Sequence, residues 1–200
     1  MAELHHYFAT PVIIDDLDDF ARLNVILEAA ILAQRDADSG LRLSNRGGWQ
    51  SKRDFPQWSG DGGRVLVDHA LRLASAHTVN ALGNPVNWSV DVWANASESG
   101  HFNMPHVHGG TFWSAVYYVR LGNGEGGELV LHDPRMPALR MHAPNLRFKD
   151  GGNEGKTQII PREGRMVLFP AWLWHAVEPW QGTGTRISVA MNIRSAPIRG

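Results

Sequence analysis

Arg186-Ile-Ser-Val-Ala-Met-Asn-Ile193 reads as one strand with two unlike faces. Side chains two apart on a strand point the same way. Arg186, Ser188, Ala190 and Asn192 therefore share one face, and Ile187, Val189, Met191 and Ile193 share the other. The apolar face must pack on something, and helices earlier in the chain are the available partner. The polar face then points into a barrel. An interior lined by Arg, Ser and Asn makes a poor core and a good ligand site. An arginine there needs an anion. A small dicarboxylate would satisfy it through paired charge-assisted hydrogen bonds, with Ser188 adding another. An internal salt bridge from Arg186 to Glu178 or Asp91 is the competing reading.

Working outward, the same period of two begins at Val86. Val86, Trp88, Val90, Val92 and Ala94 alternate with polar or aromatic neighbours, as in a half-buried strand. Further strands are expected over residues 112–120, 128–132, 165–169, 174–178 and 185–193. Glycine-rich turns such as 121–127 separate some of them. Short strands with such turns predict an antiparallel barrel of the jelly-roll kind, a double-stranded β-helix over 86–195. Residues 1–85 read as mostly helical, packed outside that barrel, with the whole chain, 1–200, one domain. Helices are expected over 15–38 and 63–82. Asp15, Asp16, Asp18 and Asp19 crowd the start of the first, where carboxylates favour the helix dipole. Residues 133–157 hold several prolines and glycines and no clean period, so a lid loop is expected there.

Bulk properties narrow the function. The 200 residues carry a formal charge of −1, with no basic stripe for nucleic acid and no acidic tail. No apolar run is long enough to span a membrane, and the N-terminus lacks a secretory pattern, so a cytoplasmic protein is expected. Oligomeric state is left open. There is no cysteine, which removes disulfides, thiol nucleophiles and thiolate metal sites together. Any metal must be held by His, Asp or Glu.

The sharpest motif is Met104-Pro-His106-Val-His108-Gly-Gly. On a strand, His106 and His108 would point the same way and converge on one ion. His175, in Leu168-Phe-Pro-Ala-Trp-Leu-Trp-His-Ala-Val-Glu178, is the candidate third ligand. A core histidine among tryptophans is the bland alternative. On the strand 112–120, Ser114, Val116 and Tyr118 share a face. If that face is inward, the Tyr118 phenol meets the same carboxylate as Arg186. The eleven residues from His175 to Arg186 would let the chain turn and return antiparallel beside the His175 strand.

The order of these pieces resembles the 2-oxoglutarate and iron(II)-dependent oxygenase superfamily, its prolyl-hydroxylase-like branch in particular, and within it a bacterial and phage group. The matching residues are His106 and His108, Ser114-Ala-Val-Tyr-Tyr-Val119, Gly126-Gly-Glu-Leu129, Asp133-Pro-Arg135, 164–170, His175 and Arg186-Ile-Ser188. Gly47-Gly-Trp-Gln-Ser51 and Trp93-Ala-Asn95 add to the likeness. The resemblance implies that iron(II) is held by His106 and His175, with 2-oxoglutarate as cosubstrate. Its distal carboxylate would lie on Arg186, with Tyr118 and Ser188, and Ser114 in the same pocket. The departure is His108, where most of the superfamily has Asp or Glu. Asp133 is the alternative carboxylate ligand, ranked below His108.

The function so implied is a 2-oxoglutarate-dependent hydroxylase acting on a small molecule or peptide. A cupin-like three-histidine dioxygenase without 2-oxoglutarate, and a non-catalytic metal-binding protein, are the alternatives. Arg186 discriminates against the first, which needs no buried carboxylate clamp, and metal analysis with a succinate-release assay separates all three. His101, His132 and His142 are candidates for substrate contact, and Trp113, Trp172, Trp174 and Trp180 for lining a pocket. His69 and His77 read as helix-surface residues. The basic residues of the expected lid, Arg135, Arg140, Arg147, Lys149 and Lys156, suit an anionic substrate or plain solvation.

Overall fold

The structure is a computed structural model that describes residues 3, 5, 8–138, 149 and 155–196. In chain order the strands and helices are β1 (Ile13–Asp16), α1 (Phe20–Ala37), β2 (Asn45–Arg46), β3 (Trp49–Gln50), α2 (Phe55–Trp58), α3 (Gly60–Ala76), β4 (Trp88–Ser97), β5 (Phe102–His106), β6 (Trp113–Arg120), β7 (Asn123–Gly126), β8 (Leu129–His132), β9 (Lys156–Ile159), β10 (Arg165–Pro170), β11 (His175–Val177), β12 (Trp180–Thr183) and β13 (Arg186–Ser195). They form a six-stranded sheet in the order β1-β10-β6-β13-β4-β3 and a five-stranded sheet in the order β2-β5-β11-β8-β9. Every pairing among these strands is antiparallel. From β4 onward the chain passes repeatedly from the larger sheet to the smaller and back. That is the double-stranded β-helix expected from the alternation.

The larger sheet has a core on each side. Ile187, Val189, Met191 and Ile193 of β13 pack with Tyr117 of β6 and with Leu27, Ile31, Leu66, Ala70 and Ala74 of the helices. The helix residues recur every three or four positions, so each helix turns one apolar stripe to the sheet. Between the sheets lies a second cluster of Tyr118, Leu129, Leu131, Ile159, Val167, Phe169 and Leu173. Neighbours Tyr117 and Tyr118 thus face opposite ways. Tyr117 donates to Asn24 Oδ1 at 2.7 Å, and Asn24 Nδ2 donates to the Val119 carbonyl at 2.7 Å, tying α1 to β6 through a buried polar bridge.

Several expected boundaries move. Residues 13–16 pair with 165–168 as an edge strand, so the first helix begins at Phe20 rather than at 15. Asp16 is held by Arg165 and Arg162 instead of serving the helix dipole, and no acidic residue sits in the helix's first turn. The second long helix runs Gly60–Ala76 and stops short of 82, because Asn80 Oδ1 accepts from the Leu82 and Asn84 amides and makes a turn. The glycine-rich stretch expected to be a turn contains β7, paired with β12 in a small ribbon. Most of the expected lid, 133–157, lies outside the described residues. No helix among the described residues is long and apolar enough to cross a membrane.

Candidate metal centre

His106 ends β5 and His175 opens β11, directly opposite each other in the antiparallel register. His108 lies beyond the end of β5, so strand alternation does not bring it to His106. Its amide instead donates to the Ala171 carbonyl at 3.0 Å, which fixes it against the turn leading into His175. The three rings gather all the same. Centroids are 4.2 Å apart for His106 and His175, 4.9 Å for His106 and His108, and 5.1 Å for His108 and His175. One ring nitrogen from each lies within 4.8 Å of those from the other two.

Hydrogen bonds decide which nitrogens are free. His106 Nδ1 lies 2.7 Å from the Met104 carbonyl, and His175 Nδ1 lies 2.8 Å from the Leu173 carbonyl. A carbonyl only accepts, so each Nδ1 carries the proton and each Nε2 keeps its lone pair. Burial holds all three histidines neutral. It lowers the pKa of His106. It takes His108 to about 4, helped by the charges of His106 and Arg53. It takes His175 to about 3, helped first by His106. Three neutral imidazoles facing one point suit a divalent transition metal.

Arg186 is 4% exposed and lines a cavity that also reaches the three histidines. One guanidinium nitrogen donates to the Gly127 carbonyl at 3.0 Å, and the Tyr118 ring lies 5.3 Å away. Gly127 has φ +69°, and a Cβ there would come within 2.7 Å of Arg186 Nε. Among the described residues no carboxylate pairs with Arg186. Asp91 is taken by Arg194 at 2.7 Å and by Arg53 at 3.3 Å, and Glu178 by Lys156 at 3.5 Å. Arg186 Nε, Tyr118 Oη and Ser114 Oγ are buried without hydrogen-bond partners. Burial lowers the Arg186 pKa and raises that of Tyr118, each partly offset by the other. Orphaned donors around a lone buried cation call for an anion. Their chemistry fits a small carboxylate.

The register orders this wall. Ser188 is opposite Tyr118, and Asn192 opposite Ser114. Four residues of strand, roughly 13 Å, separate the two levels. Tyr118 and Ser188 lie toward the arginine, and Ser114 lies toward the histidines. His175 and Arg186 sit on facing sheets, with β11 beside β5 and β8, and β13 between β4 and β6. The expected return of the chain beside the His175 strand is therefore replaced by a crossing through β12.

Other candidates fall elsewhere. The Asp133 carboxylate is held by Arg135 at 2.6 Å and 3.0 Å and is not one of the groups that gather with the three histidines. His101 Nδ1 accepts from the Glu98 amide at 2.9 Å and closes the β4–β5 turn. His132 lines a separate outer hollow, and His142 lies outside the described residues. Trp113 packs in the helix-side core, and Trp113, Trp172, Trp174 and Trp180 do not line the cavity. Trp93 does, with its ring 5.9 Å from that of His108. Asn95 and Asn103 line it too; no site role was expected for these three residues, although Trp93-Ala-Asn95 entered the family likeness and Trp93 stands one parity off the apolar positions of its strand.

Residues 91–192 match the family described as "Putative 2OG-Fe(II) oxygenase". No curated protein matches the chain. Among solved structures, it is similar to a Pseudomonas putida prolyl-4-hydroxylase, at 18% identity and TM-score 0.62 over 94% of each chain. A Trichoplax adhaerens prolyl hydroxylase, in complex with a peptide fragment of the hypoxia inducible factor oxygen degradation domain, matches at 16% identity and TM-score 0.66 over 92% of this chain and 83% of that one. HygX from Streptomyces hygroscopicus, with nickel and 2-oxoglutarate bound, matches at 15% and TM-score 0.63 over 94% and 83%.

Proposed function

The chain belongs to the 2OG-Fe(II) oxygenase family, and from that premise we propose that His106, His108 and His175 hold its iron while Arg186, Tyr118 and Ser188 hold the far carboxylate of 2-oxoglutarate. One observation carries the reading. Arg186 is a buried cation without a carboxylate partner among the described residues, at one end of a cavity whose other end is the histidine cluster. A cupin-like dioxygenase or a plain metal-binding protein has no use for that arrangement.

When bound, iron with 2-oxoglutarate and dioxygen supplies the oxidising chemistry for attack on a substrate C–H bond. The chain does the rest. His106 and His175 present lone pairs at Nε2 because their own backbone holds the Nδ1 protons. Arg186 would anchor the far carboxylate of the cosubstrate and so hold it in one orientation along the cavity. Ser114, which lines the same cavity opposite Asn192, is the remaining candidate contact for the cosubstrate. Leu129, Phe169 and Val116 give the cavity apolar walls that limit water. His108 in place of a carboxylate leaves the site one negative charge short, which favours an anionic cosubstrate electrostatically. The whole chain is read as one domain, since the helices bury their apolar stripes only on the larger sheet. A small molecule or peptide is the proposed substrate class, as sequence analysis expected.

The test is conversion of 2-oxoglutarate to succinate by iron-loaded protein, with binding followed by anaerobic titration. Absence of binding at millimolar 2-oxoglutarate would return the assignment to the cupin-like or the metal-binding-protein reading.

A further inference from the structure

His106 and His175 each have their Nδ1 proton held by a backbone carbonyl two residues earlier. Among the described residues, the one side-chain hydrogen-bond partner of His108 is Asn192, whose Nδ2 lies 3.4 Å from His108 Nδ1. Asn192 is 4% exposed, and its Oδ1 is buried with no partner at all. It stands on β13 in the larger sheet, while His108 follows β5 of the smaller one. The amide therefore bridges the two walls of the cavity at the point where strand pairing has ceased to hold the histidine.

The amide has two orientations, with opposite consequences. With Nδ2 toward His108, the imidazole must accept at Nδ1, and its proton sits on Nε2. A 180° turn about the Cβ–Cγ bond brings the orphaned Oδ1 to the same place. Nδ1–H then donates to Oδ1, and Nε2 is left with its lone pair, as in the other two histidines. The turned Nδ2 comes to the buried face that carries the equally unpartnered Ser114 hydroxyl, its cross-strand neighbour.

Resting on the ligand reading above, we infer that Asn192 is a positioning residue that selects the metal-binding tautomer of His108 by accepting the proton of its Nδ1 through Oδ1. It does for His108 what the Met104 and Leu173 carbonyls do for the other two. Loss of such an outer partner typically weakens metal binding by about 10–100-fold.

The test uses zinc on the purified metal-free full chain, with affinity measured by competition against a chelator. Asn192→Leu should weaken zinc about 10–100-fold while far-ultraviolet circular dichroism stays unchanged. Asn192→Asp, which only accepts, should bind zinc at least as tightly as the parent. In long-range proton–nitrogen correlation spectra of the zinc-loaded parent and of Asn192→Asp, His108 should show a protonated Nδ1 and a ligated Nε2. Wild-type affinity in Asn192→Leu, a tenfold loss in Asn192→Asp, or ligation through Nδ1 overturns the inference. If Asn192→Leu does not fold, Asn192→Asp and the spectra still decide it. His108→Ala separates the two readings. Unchanged zinc affinity there defeats the ligand assignment itself, whereas lost affinity there with an indifferent Asn192 defeats only this inference.

Discussion

Replacing Arg186 by Met should leave the ligand-free protein as stable as before, or more so, while removing its affinity for 2-oxoglutarate. The guanidinium is buried over the Tyr118 ring and donates to the Gly127 carbonyl, and among the described residues it has no carboxylate partner. A buried charge without a partner costs several kcal/mol, and apolar replacements of similar volume are often neutral or stabilising. Leaving the Gly127 carbonyl unpaired costs about 1–3 kcal/mol in the other direction. The net should lie between about 0 and +2 kcal/mol, or a melting shift of roughly 0 to +8 °C for a chain of this size. Binding responds oppositely. Charge-assisted hydrogen bonds are worth about 1.5–3 kcal/mol each, so affinity should fall by roughly one to three orders of magnitude. The assay is thermal unfolding of nickel-loaded protein with and without 2-oxoglutarate. At a hundredfold excess over Kd, ligand adds about 2.7 kcal/mol to the parent, and at the same concentration between about 0.1 and about 1.4 kcal/mol to the variant. Ligand should therefore raise the parent's melting temperature clearly more than the variant's. A variant that melts well below the parent without ligand, yet is stabilised equally by it, would refute the reasoning.

Gly127→Ala puts a methyl group against the Arg186 side chain at a left-handed backbone position, and should weaken 2-oxoglutarate binding while metal content stays normal, by anaerobic titration and metal analysis. His108→Asp should keep stoichiometric metal and His108→Ala should lose it, by elemental analysis. If His108→Ala keeps its metal, the three-histidine assignment fails. Asn24→Ala strands the Tyr117 hydroxyl and the Val119 carbonyl, and should cost about 2–4 kcal/mol in denaturant unfolding with little effect on Kd. Metal-free protein should lose stability in acid. His108 and His175 have folded pKa values of about 4 and about 3, below the ordinary value of 6.5, so the unfolded chain takes up their protons first. Their stabilisation is complete above about 6.5 and drains away as pH falls toward those folded values. A melting temperature flat from pH 7 to 5 would contradict this.

What could be read from the chain depended on whether one strand sufficed. The two faces of β13 and the inward set of Ser114, Val116 and Tyr118 follow from period two alone, and they are where alternation puts them. Residues 13–16 mix apolar and acidic side chains and became a strand only because β10 offers an edge, which no local pattern announces. His108 was anticipated at the cluster for an incomplete reason, since the Ala171 carbonyl rather than strand geometry places it. Asn192 was legible as inward-facing, but its partner belongs to the opposite sheet. Its role depends on how two sheets are stacked, which strand periodicity does not encode. Trp113, Trp172, Trp174 and Trp180 were expected at a pocket and Trp93 only as part of the family likeness, whereas Trp93 is the tryptophan that lines the cavity.

The larger sheet, with helices on one side and the cavity on the other, writes two texts into the same strands at alternate letters. Positions 187, 189 and 193 spell robustness, and 186, 188 and 190, with Asn192 beside His108, spell chemistry; Met191 belongs to both, packed in the helix-side core and lining the cavity. Outside Met191, point variation can therefore edit either text without touching the other's side chains. A mutant library aimed at thermal endurance belongs on the first set, and one aimed at altered cosubstrate or metal preference on the second. Insertion or deletion of a single residue in β6 or β13 exchanges the two texts at once. Lineages of this protein should consequently tolerate substitution in these strands and confine changes of length to the connections between them.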